Sequence, residues 1–165
     1  MLQLVQWLPR SSRLAAASLV ELIFAITLIA IIGVSAMPRF LQTSQFKQQV
    51  FLQRVINSLA YAQNLAIGTG CHIAVIPNIN IITFNLRQNC TSGAFNQAVF
   101  DPKNINNLFV VTAPANISIG ATNFPIYFDV NGLSHRVSNN AIIDALISIN
   151  GKIIMITGNT GLISQ

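Results

Sequence analysis

Residues 14–37 read LAAASLVELIFAITLIAIIGVSAM, an apolar run of 24 residues that carries a single charge, Glu21. No other feature restricts the chain as much. As a helix, a run of that length rises roughly 36 Å at about 1.5 Å per residue, enough to cross a hydrocarbon core of about 30 Å. A secretory signal is the first alternative to a span. Such signals carry an apolar stretch of about 7–15 residues, with small residues at a cleavage site after it. Here the run is longer, and Ala15, Ala16 and Ala17 stand ahead of its greasiest part. That order argues against a simple cleaved signal. Flanking charge gives no orientation, because Arg10 and Arg13 precede the run while Arg39, Lys47 and Arg54 follow it.

Beyond the run the helical pattern continues but changes character. Pro38 lacks a backbone donor and should bend the helix. Phe51, Val55, Leu59, Ala62 and Ala66 then step by four, four, three and four residues, an amphipathic stripe. Gln42, Gln45, Lys47, Gln48, Gln49, Gln53 and Arg54 supply much of the polar remainder, and Gly68-Thr69-Gly70 stops the pattern. The spacing predicts one helix over about 18–67. Its first half needs lipid or partner helices, and its second half needs a globular domain.

From residue 71 the period becomes two. Strands are predicted over 71–76, 79–86, 108–112 and 124–130, with two more, ALISI and KIIMI, flanking Asn150-Gly151. Asn-Gly favours a hairpin because both turn positions need positive φ, and it also occurs at Asn131-Gly132. The Asn-, Gly-, Pro- and Ser-rich stretch 87–107 reads as a long surface loop. No internal repeat or low-complexity segment is evident. The fold class is α+β: a long N-terminal helix, half apolar and half amphipathic, packed on a small, mostly antiparallel β domain.

Residues 16–40 resemble a known family. Ala16-Ala17-Ser18-Leu19-Val20-Glu21-Leu22, leading into an apolar helix, is similar to the processing site of type IV prepilins. There a small residue, usually Gly, precedes the cut, Phe commonly follows it, and a Glu stands five residues into the mature chain. In this sequence Ala16 takes the place of the Gly and Ala17 that of the Phe. GVSAMPRF, residues 33–40, resembles pilin stems, with Pro38 where many members have one. NSLAYAQNLAI, FPIYFDVNG and the closing ITGNTGLIS resemble minor pseudopilins of type II secretion, in particular the H type, and minor pilins of the type IV and MSHA systems.

The resemblance implies a division into a leader at 1–16, a stem helix at 17–67 that spans the membrane over about 17–37, and a β domain at 68–165. It also implies cleavage between Ala16 and Ala17 by a prepilin peptidase, followed by N-methylation. The protein would sit in the bacterial inner membrane by a single pass, β domain periplasmic, and then join a pilus or pseudopilus beside other pilin or pseudopilin subunits. No cofactor and no small-molecule substrate are implied. A different class, a single-pass anchored binding protein that never assembles, fits the same stem.

Physical chemistry bears on the individual residues. A carboxylate in an apolar helix is costly unless it is paired or reaches the interface. Cleavage at Ala16 would create an amine four residues before Glu21, able to meet this carboxylate within one helix or in a neighbouring one. The alternative is a Glu that snorkels at the membrane edge with no partner. Cys71 and Cys90 would form a structural disulfide in an oxidising periplasm, and otherwise are two buried thiols. With His72 they lack an evident fourth ligand for zinc. His135, Ser134 and Asp129 could be drawn as a triad, yet nothing near them resembles a nucleophile elbow, and no Gly-rich phosphate loop is present. An enzyme is not indicated.

DNA binding enters because some minor pilins of this family take part in uptake. Residues 68–165 hold Arg87, Lys103, Arg136 and Lys152 against Asp101, Asp129 and Asp144. Phosphate binding draws its affinity from several Lys/Arg contacts, and the Gly-Arg-x-Arg element that uptake members resemble one another in carrying is missing. DNA is therefore disfavoured as a partner.

Overall fold

The computed structural model describes the backbone of residues 19–41 and 43–165, with side chains in all of these except 33–41, 43, 44 and 105. It divides into two compact units, met at Gln42 and Thr43. The first contains α1 (Leu19–Leu41) and the second begins with α2 (Thr43–Thr69). The helix predicted over 18–67 corresponds to α1 and α2, and α2 runs to Thr69 before Gly70 takes a φ of +66°.

Twelve strands follow α2: β1 (Ile73–Pro77), β2 (Ile81–Leu86), β3 (Gln97–Ala98), β4 (Phe100–Asp101), β5 (Asn104–Leu108) and β6 (Val110–Thr112), then β7 (Ile119–Thr122), β8 (Ile126–Phe128), β9 (Ser134–Arg136), β10 (Ala145–Ile149), β11 (Lys152–Ile156) and β12 (Ile163–Ser164). One sheet has the order β3-β2-β1-β8-β9, with β6 also paired to β2. A second has the order β12-β11-β10-β7, and β4-β5 is a separate hairpin. Every described pairing between strands is antiparallel.

The predicted stripe is the helix's core face: Phe51, Val55, Leu59, Ala62 and Ala66 are all buried, joined by Leu52. They meet Ile73, Val75, Ile82, Phe84, Ile126 and Phe128 of the first sheet and Ile147, Ile149, Ile154 and Ile156 of the second in one core. Alternation explains which strand residues point inward. In β11, Ile154 and Ile156 are buried while Ile153 and Met155 are exposed. Two side-chain amides fasten α2 at either end: Gln48 Nε2 donates to Ile149 O at 3.1 Å, and Gln63 Nε2 donates to Gly132 O at 2.9 Å.

Asn150-Gly151 makes the tight β10–β11 turn, with φ of 46° and 86° and Ile149 opposite Lys152. Asn131-Gly132 lies in a hairpin too, but a longer one. Asp129 Oδ1 accepts the N–H groups of Asn131 and Leu133 at 2.9 and 2.8 Å, which holds a five-residue connection at 129–133 between β8 and β9. The stretch 87–107 is a correction: it contains β3, β4 and most of β5. Backbone pairing, Asn85 with Ala98 and Phe100 with Leu108, orders a segment whose side chains show no alternation.

Candidate functional site

α1 carries the residues that the sequence marks for assembly. Among its described side chains, Leu19 to Ile32, only Glu21 and Thr27 are polar. Thr27 turns its hydroxyl inward along the helix, donating to Phe24 O at 2.8 Å. The large apolar residues are exposed on every side: Leu19 at 74%, Phe24 at 65%, Ile29 at 68% and Ile31 at 67% span more than three turns at 3.6 residues each. Glu21 is exposed in the first turn, where the backbone N–H groups of a helix favour negative charge. Among the described residues no helix is long and apolar enough to cross a membrane. Ala16 and Ala17, the leader and the start of the predicted span lie outside the described residues. Pro38 lies within the α1 backbone.

Cys71 and Cys90 are joined in a disulfide 19 residues apart in sequence, and no free cysteine remains. The bridged loop folds back by backbone bonds, His72 N to Cys90 O at 2.8 Å and Arg87 N to His72 O at 3.0 Å. Arg87 then fixes its far side. Its guanidinium donates to Gly93 O and Thr91 O at 3.0 Å each and to His72 Nδ1 at 2.9 Å, and lies 4.8 Å from the Phe95 ring centre. Sequence reasoning gave Arg87 no role beyond being one of four cations at 68–165. An arginine three residues before a bridged cysteine was the available signal.

The same loop covers the outer face of strand β8. Tyr127 is buried between His72 and His135, with ring centres 5.0 and 5.1 Å away, and its hydroxyl donates to Asn140 Oδ1 at 3.1 Å. Burial pushes the Tyr127 hydroxyl above its ordinary range, and burial followed by the Arg87 charge holds His72 below its own. His135 is bound at both ring nitrogens, Nδ1 to Asn140 O at 2.9 Å and Nε2 to Asp129 Oδ2 at 3.2 Å. Ser134 is opposite Phe128 in register while His135 is opposite Tyr127, so the two side chains leave opposite faces of β9. The Ser134 hydroxyl is buried with no hydrogen-bond partner. The Asp–His arm of a triad forms and the Ser–His arm does not. The arrangement is a layer of aromatic and polar side chains closing one face of the sheet.

No group of three metal-ligating side chains occurs among the described residues. Of the cations at 68–165, Arg87 is used as above and Arg136 donates to Asn123 Oδ1 at 2.7 Å.

No protein-family model and no characterised protein matches the sequence. Among solved structures, the minor pseudopilin EpsH from the type 2 secretion system of Vibrio cholerae aligns with a TM-score of 0.54 at 11% identity, over 72% of this chain and 94% of that one. Two crystal structures of the type IV minor pilin FimU of Pseudomonas aeruginosa align with TM-scores of 0.49 and 0.48, at 16% and 14% identity, over 74% and 70% of this chain and 90% of theirs. The first likeness gives the chain a minor-pilin-like fold: N-terminal helices followed by antiparallel sheets.

Proposed function

We propose that this chain is a minor pilin or pseudopilin, a structural subunit and not an enzyme, in a type IV pilus or a type II secretion pseudopilus, at or near its tip. The observation that carries the reading is α1, apolar and exposed around its circumference with Glu21 as its one described charge. A helix of that kind is stable only when something apolar covers it. Lipid would cover it first, over a span of about 17–37, with the β domain in the periplasm. Neighbouring stems would cover it afterwards, through the close van der Waals packing that helices use in apolar surroundings.

Glu21 supplies the register. Cleavage after Ala16 frees an amine on Ala17, and in the filament this amine pairs with the Glu21 carboxylate of an adjacent stem. Pro38, which lacks a backbone donor, would bend the stem. The EpsH-like fold supports this reading without supplying the chemistry of processing. Mass spectrometry of membrane-extracted protein tests it: cells with an active prepilin peptidase should yield a product beginning at Ala17, N-methylated. An uncut N-terminus in such cells would sink the assembly reading and leave a plain membrane anchor.

A further inference from the structure

A groove of about 840 Å³ runs along the solvent side of α2, from Gln49 to Tyr61, and the β4–β5 tip with Phe109 forms its other wall. Its lining includes apolar Val50, Tyr61 and Phe109 together with charged Arg54, Lys103 and Asp101. It continues past Val50 and Arg54 into a smaller hollow of about 160 Å³ beside Phe46 and Lys47. Phe46 and Val50 are 70% and 51% exposed, one helical turn apart. Lys47, Arg54 and Lys103 form no ion pair among the described residues, where the one such pair is His135 with Asp129. Asp101 is committed to the turn, its Oδ1 accepting Lys103 N at 2.8 Å.

We infer that this groove receives an acidic amphipathic helix of a different protein, its apolar stripe on Val50, Tyr61 and Phe109 and its carboxylates against Arg54, Lys103 and Lys47. Charge decides between a foreign helix and a second copy. The chain has four acids in all. Asp129 and Asp144 are bound within the domain, to His135 and to Gly158 N, and Asp101 already lines the groove. Glu21 stands alone in the stem. No face of this chain can therefore answer three unpaired cations, and a copy would bring like charge to the site. Shape favours a helix: the α2 wall extends about 18 Å at about 1.5 Å per residue, room for three turns laid alongside. The surface lies on α2 and the β4–β5 tip, beyond the predicted span of about 17–37, so its test does not depend on processing at Ala16.

The full chain in lipid nanodiscs, with the span of about 17–37 hidden in lipid, is titrated with a labelled synthetic helix bearing a leucine stripe flanked by glutamates. A twin with lysine for each glutamate serves as control. The acidic helix should bind more tightly at low salt than at high salt, and the lysine twin should bind at least about tenfold more weakly. Arg54→Glu with Lys103→Glu should weaken the acidic helix about tenfold, and Val50→Asp should also weaken it, with thermal unfolding unchanged because all three side chains are exposed. Equal binding of the two peptides, or of wild type and the double variant, overturns the inference. So does self-association of the chain that the double variant abolishes, since the occupant is then a second copy.

Discussion

Replace Cys71 and Cys90 together with alanine and the β unit loses the constraint that the bridge places on its unfolded chain. For a separation of 19 residues, the chain-entropy relation gives about 3 kcal/mol. Neither replacement adds a polar group to the core, and Cys90, at φ 59°, exchanges one Cβ for another. The full loss is felt only if the native loop stays ordered without the bridge, because a loop that frays recovers entropy in the folded state. Arg87 keeps it ordered, through Thr91 O, Gly93 O and Phe95. In an Arg87→Ala background the same cysteine pair should therefore cost less, by about 1 kcal/mol, as groups tethering one segment are not additive. Urea unfolding of the full chain, followed by tyrosine fluorescence with and without reductant, measures all four corners of the cycle. The melting temperature should fall by roughly 10 °C when the bridge alone is lost. A loss below about 1 kcal/mol would refute the entropic account. Equal losses in both backgrounds would refute the tethering role of Arg87.

Other perturbations separate the remaining ideas. Glu21→Leu should leave membrane insertion intact while recovery of partner subunits from sheared fractions falls by roughly tenfold or more, with Glu21→Asp between the two; equal recovery at matched membrane levels leaves the pairing idea without support. His72 is held below its ordinary value in the fold, so the unfolded chain binds the proton more tightly. Its contribution is complete above the unfolded value of about 6.5 and is lost as the pH falls through the folded one. His72→Asn keeps an acceptor for Arg87 without titrating, and should flatten the difference in urea midpoint between pH 7.5 and pH 5, both about one unit or more from that value. Gly161 sits at φ +63°, and a Cβ there would collide with Gly132 O and Gln63 Nε2; Gly161→Ala should cost about 2 kcal/mol in the same urea assay, and a neutral result would contradict the contact.

The parts of the fold that repeat were legible in the residues. The stripe from Phe51 to Ala66 obeys the helical period, and the two strands about Asn150-Gly151 obey the period of two, so their buried faces follow from spacing. Leu52 was missed because it flanks the stripe and does not continue it. β3, β4 and β5 were missed for a different reason. Their described side chains are exposed or half-buried, and backbone pairing with β2 or with each other is what orders them. Asn131-Gly132 shows how a side chain overrides a dipeptide signal: the Asp129 carboxylate captures two N–H groups and widens the turn. Arg87 and the groove depend on residues brought together from distant parts of the chain, which no local pattern encodes. The processing residues Ala16 and Ala17 are the reverse case, read from sequence and lying outside the described structure.

The two amides that fasten α2 have a bearing on how the molecule is made. Gln48 reaches Ile149, 101 residues on, and Gln63 reaches Gly132, 69 residues on. The greasy side of this early helix is therefore finished by strands translated long after it. Until β10 and β11 arrive, that side lies open. Long-range closure of this kind is slow compared with local helix formation, and the unfinished chain passes through a window in which it invites aggregation or a chaperone. Deleting β11 and β12 should consequently reduce the yield of folded chain more sharply than deleting β4 and β5, although each pair is a short antiparallel ribbon.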